Sequence, residues 1–149
     1  MDTLQLLKNI NSDKTSKKYF IGVFPRDLLP TKINYPSSFI VNTDNSNKRG
    51  EHWLAIYVDG HRKLDFFDPM GLPPVFYGLD GYINNIADSY QFNKMQFQNI
   101  FSDYCGFYCL LFIFIKSRNK NFNFKLFTKN FKKNDQIISK LIKEKFFFL

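Results

Sequence analysis

Four residues of this chain, His52, Asp68, Gln98 and Cys105, are of the types that together make a thiol hydrolase. A thiol attacks a carbonyl as the thiolate, and a neighbouring imidazole can take its proton and remain beside it as the counter-ion. A carboxylate behind the imidazole fixes its tautomer, and a side-chain amide with a backbone N–H can stabilise the oxyanion that forms. The set therefore predicts Cys105 as nucleophile and His52 as general base. Asp68 would orient His52, and Gln98 would donate to the oxyanion together with the backbone N–H of Cys105.

Each of these residues also has a purely structural interpretation. A histidine before Trp53 at the start of a strand is more often structural than catalytic, and Asp68 before a Pro-x-Gly sequence is a typical turn residue. Cys105 at the start of an apolar helix would usually belong to the core, and Gln98 in a polar loop carries no signal alone. The argument for chemistry therefore depends on whether the fold brings the four side chains together.

A predicted hairpin would bring His52 and Asp68 together. We expect a strand over Trp53–Val58, an Asp-Gly turn at residues 59–60, and a second strand over Lys63–Phe67. His52 lies about seven residues before the turn and Asp68 about eight after it, so antiparallel pairing would place them side by side. Their separation along the chain is therefore compatible with a histidine–carboxylate pair.

The segment that begins at Cys105 is expected to be a central helix. Residues 105–117 are apolar nearly all round, which is typical of a buried helix, and the N-terminus of a helix favours a thiolate. Further predicted elements are helices over residues 3–10, 79–90, 125–131 and 135–145, and strands over residues 19–24, 39–41 and 94–98. Together they predict an α+β fold with a small, mainly antiparallel sheet and a buried helix that carries the nucleophile. Without an internal repeat or a clear boundary, residues 1–149 are treated as a single domain.

The net charge of +8 is concentrated near the end of the chain. Residues 116–149 contain ten Lys and Arg against two acidic residues, whereas residues 1–115 are balanced. The basic segment 119–149 is also rich in Phe, and basic residues among aromatic ones can hold a nucleic-acid backbone and stack bases. The alternative is that the Phe rings belong to the core and the lysines to the solvated face of the same elements. DNA therefore enters as an optional partner or activator.

The composition excludes several classes of protein. Hydrophobic residues make up 44% and charged residues 23%, which is ordinary for a folded chain and excludes disorder throughout. Two cysteines four residues apart cannot form a disulfide framework, and the first residues do not follow the pattern of a signal peptide. The longest apolar run, residues 105–115, is too short to span a bilayer. We therefore expect a reducing compartment, no membrane association, and no required metal or cofactor.

Four stretches of the chain carry a family resemblance. They are KKYFIGVFPRDLLP, SSFIVNTDNSNKRGEHWLAIYV, LDFFDPMG and QNIFSDYCGFYCLLF, all within residues 1–118. They resemble, in order, the N-terminal segment, the strands ending in the catalytic His-Trp, the Phe-Glu/Asp-Pro-x-Gly element, and the Gln and Cys-Gly element of one enzyme family. This is the adenain family of cysteine peptidases, which includes the adenovirus maturation protease and related enzymes of virophages and Maverick/Polinton elements. The chain is more distantly similar to SUMO and ubiquitin-like-protein proteases.

The resemblance implies the cysteine-protease fold of that family and an endopeptidase of viral or virus-like-element origin. Its substrates would be capsid precursor proteins, cleaved during virion maturation, in the virion and in the nucleus or cytoplasmic virus factory of an infected cell. The resemblance assigns His52, Asp68, Gln98 and Cys105 the roles given above. It also implies that Trp53 and Gly106 line the substrate pocket.

The chain departs from the family in one respect, and two other functions stay open. The adenovirus enzyme is linked to its activating peptide through a cysteine outside the active-site helix, whereas Cys105 and Cys109 are both in that helix. A disulfide-linked activator is therefore not expected. The alternatives are an isopeptidase of the deubiquitinase or deSUMOylase type, and a catalytically silent DNA-binding scaffold.

Overall fold

A five-stranded sheet runs through the middle of the protein and is flanked by helices. The computed structural model describes residues 1–47, 52–122 and 124–146, with only the backbone of residue 124. Its strands are β1 (Phe20–Pro25), β2 (Ser37–Asn42), β3 (Trp53–Val58), β4 (Lys63–Phe67) and β5 (Ser89–Phe92), adjacent in that order. Its helices are α1 (Thr3–Ser12), α2 (Asp80–Ile86), α3 (Cys105–Lys116) and α4 (Phe131–Lys145). The predicted α+β class is therefore confirmed.

The central β3–β4 hairpin forms as the sequence predicts. The two strands pair antiparallel with Ala55 opposite Phe67, and β3 is buried along its whole length. At the turn, the side chain of Asp59 accepts hydrogen bonds from the backbone N–H groups of His61 and Lys63, at 2.8 and 2.9 Å. This local closure fixes the register, so the two open ends of the hairpin lie at the same edge of the sheet.

The expectation of a mainly antiparallel sheet is wrong, because both outer strand pairs are parallel. β1 pairs with β2 and β4 pairs with β5 in the same direction, and only the two central pairs are antiparallel. Parallel neighbours require the chain to cross back before it pairs again. Residues 26–36 make that return between β1 and β2, and the segment containing α2 makes it between β4 and β5.

The region between residues 79 and 98 also differs from its prediction. The spacing of apolar residues predicts a helix over 79–90, but α2 ends at Ile86 and the chain enters β5 at Ser89. Tyr90, which that spacing counts as an apolar contact, is 41% exposed and pairs with β4 instead. Residues 94–98, predicted as a strand, form a loop whose Phe97 and Gln98 N–H groups donate to a single carbonyl.

Helix α3 is buried against one face of the sheet, as predicted. It shares a hydrophobic cluster with α1 and α4, to which Leu6, Ile10, Ile138 and Ile142 contribute. Helix α2 covers the opposite face of the sheet with a second cluster. The first turn of α3 is therefore held between the sheet and α1. Within the described ranges, no helix is long and apolar enough to cross a membrane.

The basic C-terminal segment packs onto the same core as α3. Phe122, Phe127 and Phe146 are buried in the cluster around α3, so these three rings are not available to stack on bases. The predicted helix over 125–131 is replaced by a 3-10 turn at Phe124–Leu126, and α4 begins at Phe131 with the Asn130 side chain as its N-terminal cap. Several lysines of the segment are exposed: Lys129, Lys132, Lys133, Lys140 and Lys143. For Phe122, Phe127 and Phe146, the interpretation as core residues is therefore the correct one.

Candidate active site

The open end of the β3–β4 hairpin brings His52 and Asp68 into contact. His52 comes directly before β3 and Asp68 directly after β4, and the Nε2–Oδ1 distance between them is 2.7 Å. The Asp68 side chain is fully buried, while that of His52 is 17% exposed. Because Nε2 faces the carboxylate, Nδ1 is the ring nitrogen left to exchange a proton with a thiol.

Cys105 lies at the start of α3 and completes this arrangement. Its side chain is 5% exposed and lies near enough to His52 to influence the charge of the imidazole. Burial by itself lowers the pKa of His52, but the hydrogen bonds and negative charges of Asp68 and Cys105 outweigh burial and raise that pKa to about 9. The imidazolium is therefore favoured at neutral pH, next to a sulfur at a helix N-terminus that itself favours negative charge.

The carboxylate of Asp68 is held by a set of hydrogen bonds besides that of His52. Its Oδ1 accepts from the N–H of Met70 at 2.9 Å, and its Oδ2 accepts from the N–H of Leu72 at 3.2 Å and from the Tyr77 hydroxyl at 2.6 Å. Buried charge is costly unless it is satisfied in this way. The arrangement therefore locks the carboxylate in one orientation toward the imidazole.

The Asp-Pro-Met-Gly turn after β4 supplies one of these donors, the N–H of Met70, and needs its glycine. Gly71 has a φ of +76°, and a Cβ there would lie 2.7 Å from the backbone carbon of Met95. Its N–H donates to the Asp68 carbonyl at 2.8 Å, which closes the turn. Only glycine combines that φ with so close an approach of a second backbone. The turn motif is therefore part of the machinery that holds the carboxylate.

Tyr77 and Asn93 are two residues of the site that the sequence did not indicate. The Tyr77 ring lies beside that of His52, with centroids 6.2 Å apart and planes 28° from parallel, in addition to the hydroxyl contact. Asn93 exchanges hydrogen bonds with the backbone of Asp68, accepting from its N–H at 2.9 Å and donating to its carbonyl. No local pattern in the sequence indicates either residue: Asn93 reaches Asp68 through the parallel register of β5 with β4, and Tyr77 reaches it through the path of the chain after the turn.

Gln98 lies in the loop that leads from β5 to Cys105. It is 3% exposed, its Nε2 donates to the Ser102 carbonyl at 2.8 Å, and among the described residues its Oε1 has no hydrogen-bond partner. An amide NH2 has two donor hydrogens, so Nε2 has a second N–H to offer an oxyanion besides the one given to the Ser102 carbonyl. The role of Gln98 as oxyanion donor stays a prediction.

Two residues of the C-terminal segment form hydrogen bonds with this loop and with α3. Asn134 of α4 donates from Nδ2 to the carbonyls of Phe97 and Thr128, at 3.0 and 2.7 Å. Asp135 accepts from the hydroxyl of Tyr108 on α3 at 2.8 Å, with both groups buried. The residue before Gln98 is therefore anchored to α4, and residues outside the family resemblance help to position the loop.

Trp53 and Gly106, the predicted pocket residues, share one neighbour. The indole N–H of Trp53 donates to the Met1 carbonyl at 2.9 Å. A Cβ on Gly106 would lie 3.1 Å from Cβ of Met1. Both residues are buried, and each directly follows a residue of the candidate site, His52 or Cys105. Their role as walls of a substrate pocket stays a prediction.

Replacing Asp68 with Asn is expected to move the alkaline limb of the pH–rate profile to lower pH. Against the effect of burial, the Asp68 carboxylate and Cys105 together raise the pKa of His52 to about 9, so the imidazolium of the wild type is lost only as the pH rises through that value. Without the charge, His52 loses its proton at a lower pH, and activity falls less completely than after removal of the nucleophile. The profile between pH 5 and 10 and the NMR titration of the His52 ring report the change independently.

Tyr77→Phe is the matched control for this comparison. It removes one hydrogen bond from the same carboxylate but keeps the carboxylate charge beside His52. Its alkaline limb is expected to stay near pH 9. An unshifted His52 titration in Asp68→Asn would contradict the assignment of Asp68 as the group that sets the charge of His52.

Comparison with known proteins leaves the family open. No protein-family model matches the chain, and no curated protein matches it significantly. Among solved structures, the central domain of the uncharacterized Lpg1148 protein from Legionella pneumophila has a TM-score of 0.56 at 14% identity, covering 97% of this chain and 95% of that one. The ASFV pS273R protease has a TM-score of 0.44 at 25% identity, covering 77% of this chain and 46% of that one. A TM-score this low does not show a shared fold. The likeness to the Legionella domain shows the fold alone.

Proposed function

We propose that the protein is a cysteine endopeptidase with Cys105 as its nucleophile. The observation that carries this proposal is the 2.7 Å contact of His52 with the buried carboxylate of Asp68, beside Cys105 at the start of α3, which acts on the charge of the same imidazole. A thiol at a helix N-terminus beside an imidazole that favours its protonated form is the arrangement that activates a cysteine for attack on a carbonyl.

The reaction would proceed in two halves. The thiolate of Cys105 adds to the peptide carbonyl, and the electron pair of the C=O bond moves to oxygen, where the backbone N–H of Cys105 and the amide of Gln98 donate to it. As the oxyanion collapses, the C–N bond breaks and His52 gives its proton to the departing amine. His52 then takes a proton from water, the hydroxide attacks the thioester, and the acid product leaves with Cys105 restored. Asp68 keeps the imidazole in the orientation that both halves need.

The resemblance to the adenain family supports a choice of substrate. We propose that the enzyme cleaves capsid precursor proteins of a virus or virus-like element, in the virion and the infected cell. The exposed lysines of α4 support DNA as an optional, salt-sensitive activator, since they can bind phosphates without the buried Phe rings. The choice of capsid precursors as substrate and of DNA as activator goes beyond the site itself, and the second experiment below tests both.

The first experiment is alkylation of the purified protein with iodoacetamide at neutral pH. Cys105 is expected to be labelled through its thiolate, whereas Cys109 is fully buried and burial raises its pKa well above the usual value. Cys109 is therefore an internal control on the same helix. Peptide mapping by mass spectrometry gives both labelled fractions, and equal or no labelling of the two cysteines would contradict the proposal.

The second experiment identifies the substrate. The protein is incubated with capsid precursors from the same genome, with and without DNA at two salt concentrations, and with fluorogenic ubiquitin and SUMO substrates. Cleavage of the precursors alone supports the maturation protease, and a DNA-dependent rate that falls with salt supports DNA as activator. Cleavage of the ubiquitin or SUMO substrates alone would transfer the same chemistry to the isopeptidase alternative.

A further inference from the structure

Met1 covers the two residues that flank the catalytic histidine and cysteine in sequence. The indole N–H of Trp53 donates to the carbonyl of Met1 at 2.9 Å. The Met1 side chain lies against Gly106, since a Cβ on that glycine would be 3.1 Å from Cβ and 3.3 Å from Sδ of Met1. One residue therefore contacts both predicted walls of the substrate pocket, through its backbone and through its side chain.

The position of Met1 is fixed by the start of α1. The side chain of Asp2 accepts from the N–H of Gln5 at 2.8 Å, and the side chain of Gln5 accepts from the N–H of Asp2 at 2.9 Å. Such a capping box sets the direction in which the chain enters the helix. Further along α1, Leu6 and Ile10 are fully buried in the cluster around α3. Met1 is therefore held over the site by an anchored helix.

Trp53 also lines an open groove, together with Thr3 of α1. It has a volume of about 260 Å³ and is lined by residues that include Thr3, Val23, Phe24, Asn42, Ser46 and Trp53. The described residues that line it are uncharged, with hydroxyl and amide groups among apolar surface. Hydroxyl, amide and apolar groups suit an extended peptide, which needs hydrogen bonds for its backbone and apolar contact for its side chains.

We propose that Met1 occupies the place of a substrate residue and must move aside before a peptide in this groove can reach Cys105. An indole N–H can only donate, so its partner in a complex is an acceptor such as the backbone carbonyl that Met1 now provides. The 5% exposure of Cys105 agrees with a site that is covered in this form of the protein. This inference rests on the proposed function and names its substrate as an extended peptide segment.

Masking of this kind affects substrate binding and leaves the catalytic groups in place. When only a fraction of the molecules is open, the apparent dissociation constant is raised by the inverse of that fraction. Removal of Met1, by cleaving a tag so that the chain begins at Asp2, is therefore expected to lower KM about 3- to 10-fold with kcat nearly unchanged. Iodoacetamide labelling of Cys105 is expected to accelerate by a similar factor.

The matched control is Leu4→Ala, since Leu4 is on the same helix and is 60% exposed. It is expected to change neither KM nor the labelling rate. Met1→Gly, which keeps the backbone carbonyl but removes the side chain from Gly106, is the second variant if the shortened chain unfolds more easily. Its effect on both rates is expected to be intermediate.

The two readouts separate this proposal from the proposed function. Peptide cleavage by the wild type with unchanged KM and unchanged labelling after removal of Met1 overturns the masking and leaves the protease in place. Faster labelling of Cys105 without cleavage by any variant supports the masking and overturns the protease. Unchanged labelling together with no cleavage overturns both.

Discussion

Replacing Cys105 with alanine is expected to reduce cleavage of a cognate precursor by about four orders of magnitude or more. The thiolate forms the bond that splits the peptide, and neither His52 nor Asp68 can take over that attack on the same carbonyl. The substitution removes a single sulfur from the first turn of α3. The fold should therefore survive, which thermal unfolding of the variant will show alongside the cleavage assay.

Cys109→Ala gives the same chemical change one helical turn further into the core. Cys109 is fully buried and has no part in the proposed reaction, so this variant should keep most of its activity while losing some stability. More than about 1% residual activity in Cys105→Ala would contradict the assignment of Cys105 as the nucleophile, because removal of a nucleophile normally leaves far less activity than this. Equal losses in both variants would indicate damage to α3 instead of loss of chemistry.

His52→Gln is expected to reduce kcat/KM by about three to four orders of magnitude. Glutamine can still donate a hydrogen bond to the buried carboxylate of Asp68, so it avoids leaving that charge without its partner. It cannot take the thiol proton or protonate the leaving amine. The variant should therefore fold, react slowly with iodoacetamide at neutral pH, and cleave almost no precursor.

The chain provides a matched control in its second histidine. His61 is exposed near the turn of the β3–β4 hairpin, where its backbone N–H donates to the side chain of Asp59. His61→Gln should leave kcat/KM and the labelling of Cys105 unchanged. Activity above about one tenth of wild type in His52→Gln would contradict the role of His52 as general base.

The sequence predicted the central part of the site because the signals there are local. The Asp-Gly turn and the apolar strands on either side of it set the register that brings His52 to Asp68. The Asp-Pro-Met-Gly motif, which begins with the carboxylate itself, ends β4. The apolar run after Cys105 can only be a buried element. Neighbours in sequence determine each of these features.

The outer parts of the site could not be predicted because they depend on contacts between distant segments. Asn93 reaches the backbone of Asp68 only through the parallel pairing of β5 with β4, and a parallel pair leaves no turn signal in the sequence. Tyr77 reaches the carboxylate by the path of the chain after the turn. The contact of Asn134 with the Phe97 carbonyl likewise joins two segments that no local pattern relates.

The placement of the two cysteines on α3 also has a consequence for oxidation. Cys105 and Cys109 are the only cysteines of the chain, and both are free. If Cys105 were oxidised to a sulfenic acid, a second thiolate would have to attack that sulfur to form a disulfide. Burial raises the pKa of Cys109 and keeps it a thiol, so Cys109 does not supply that thiolate. An oxidised Cys105 would therefore be restored by a small external thiol, through a mixed disulfide. The redox state of the surroundings would then switch the nucleophile on and off without any partner cysteine in the protein.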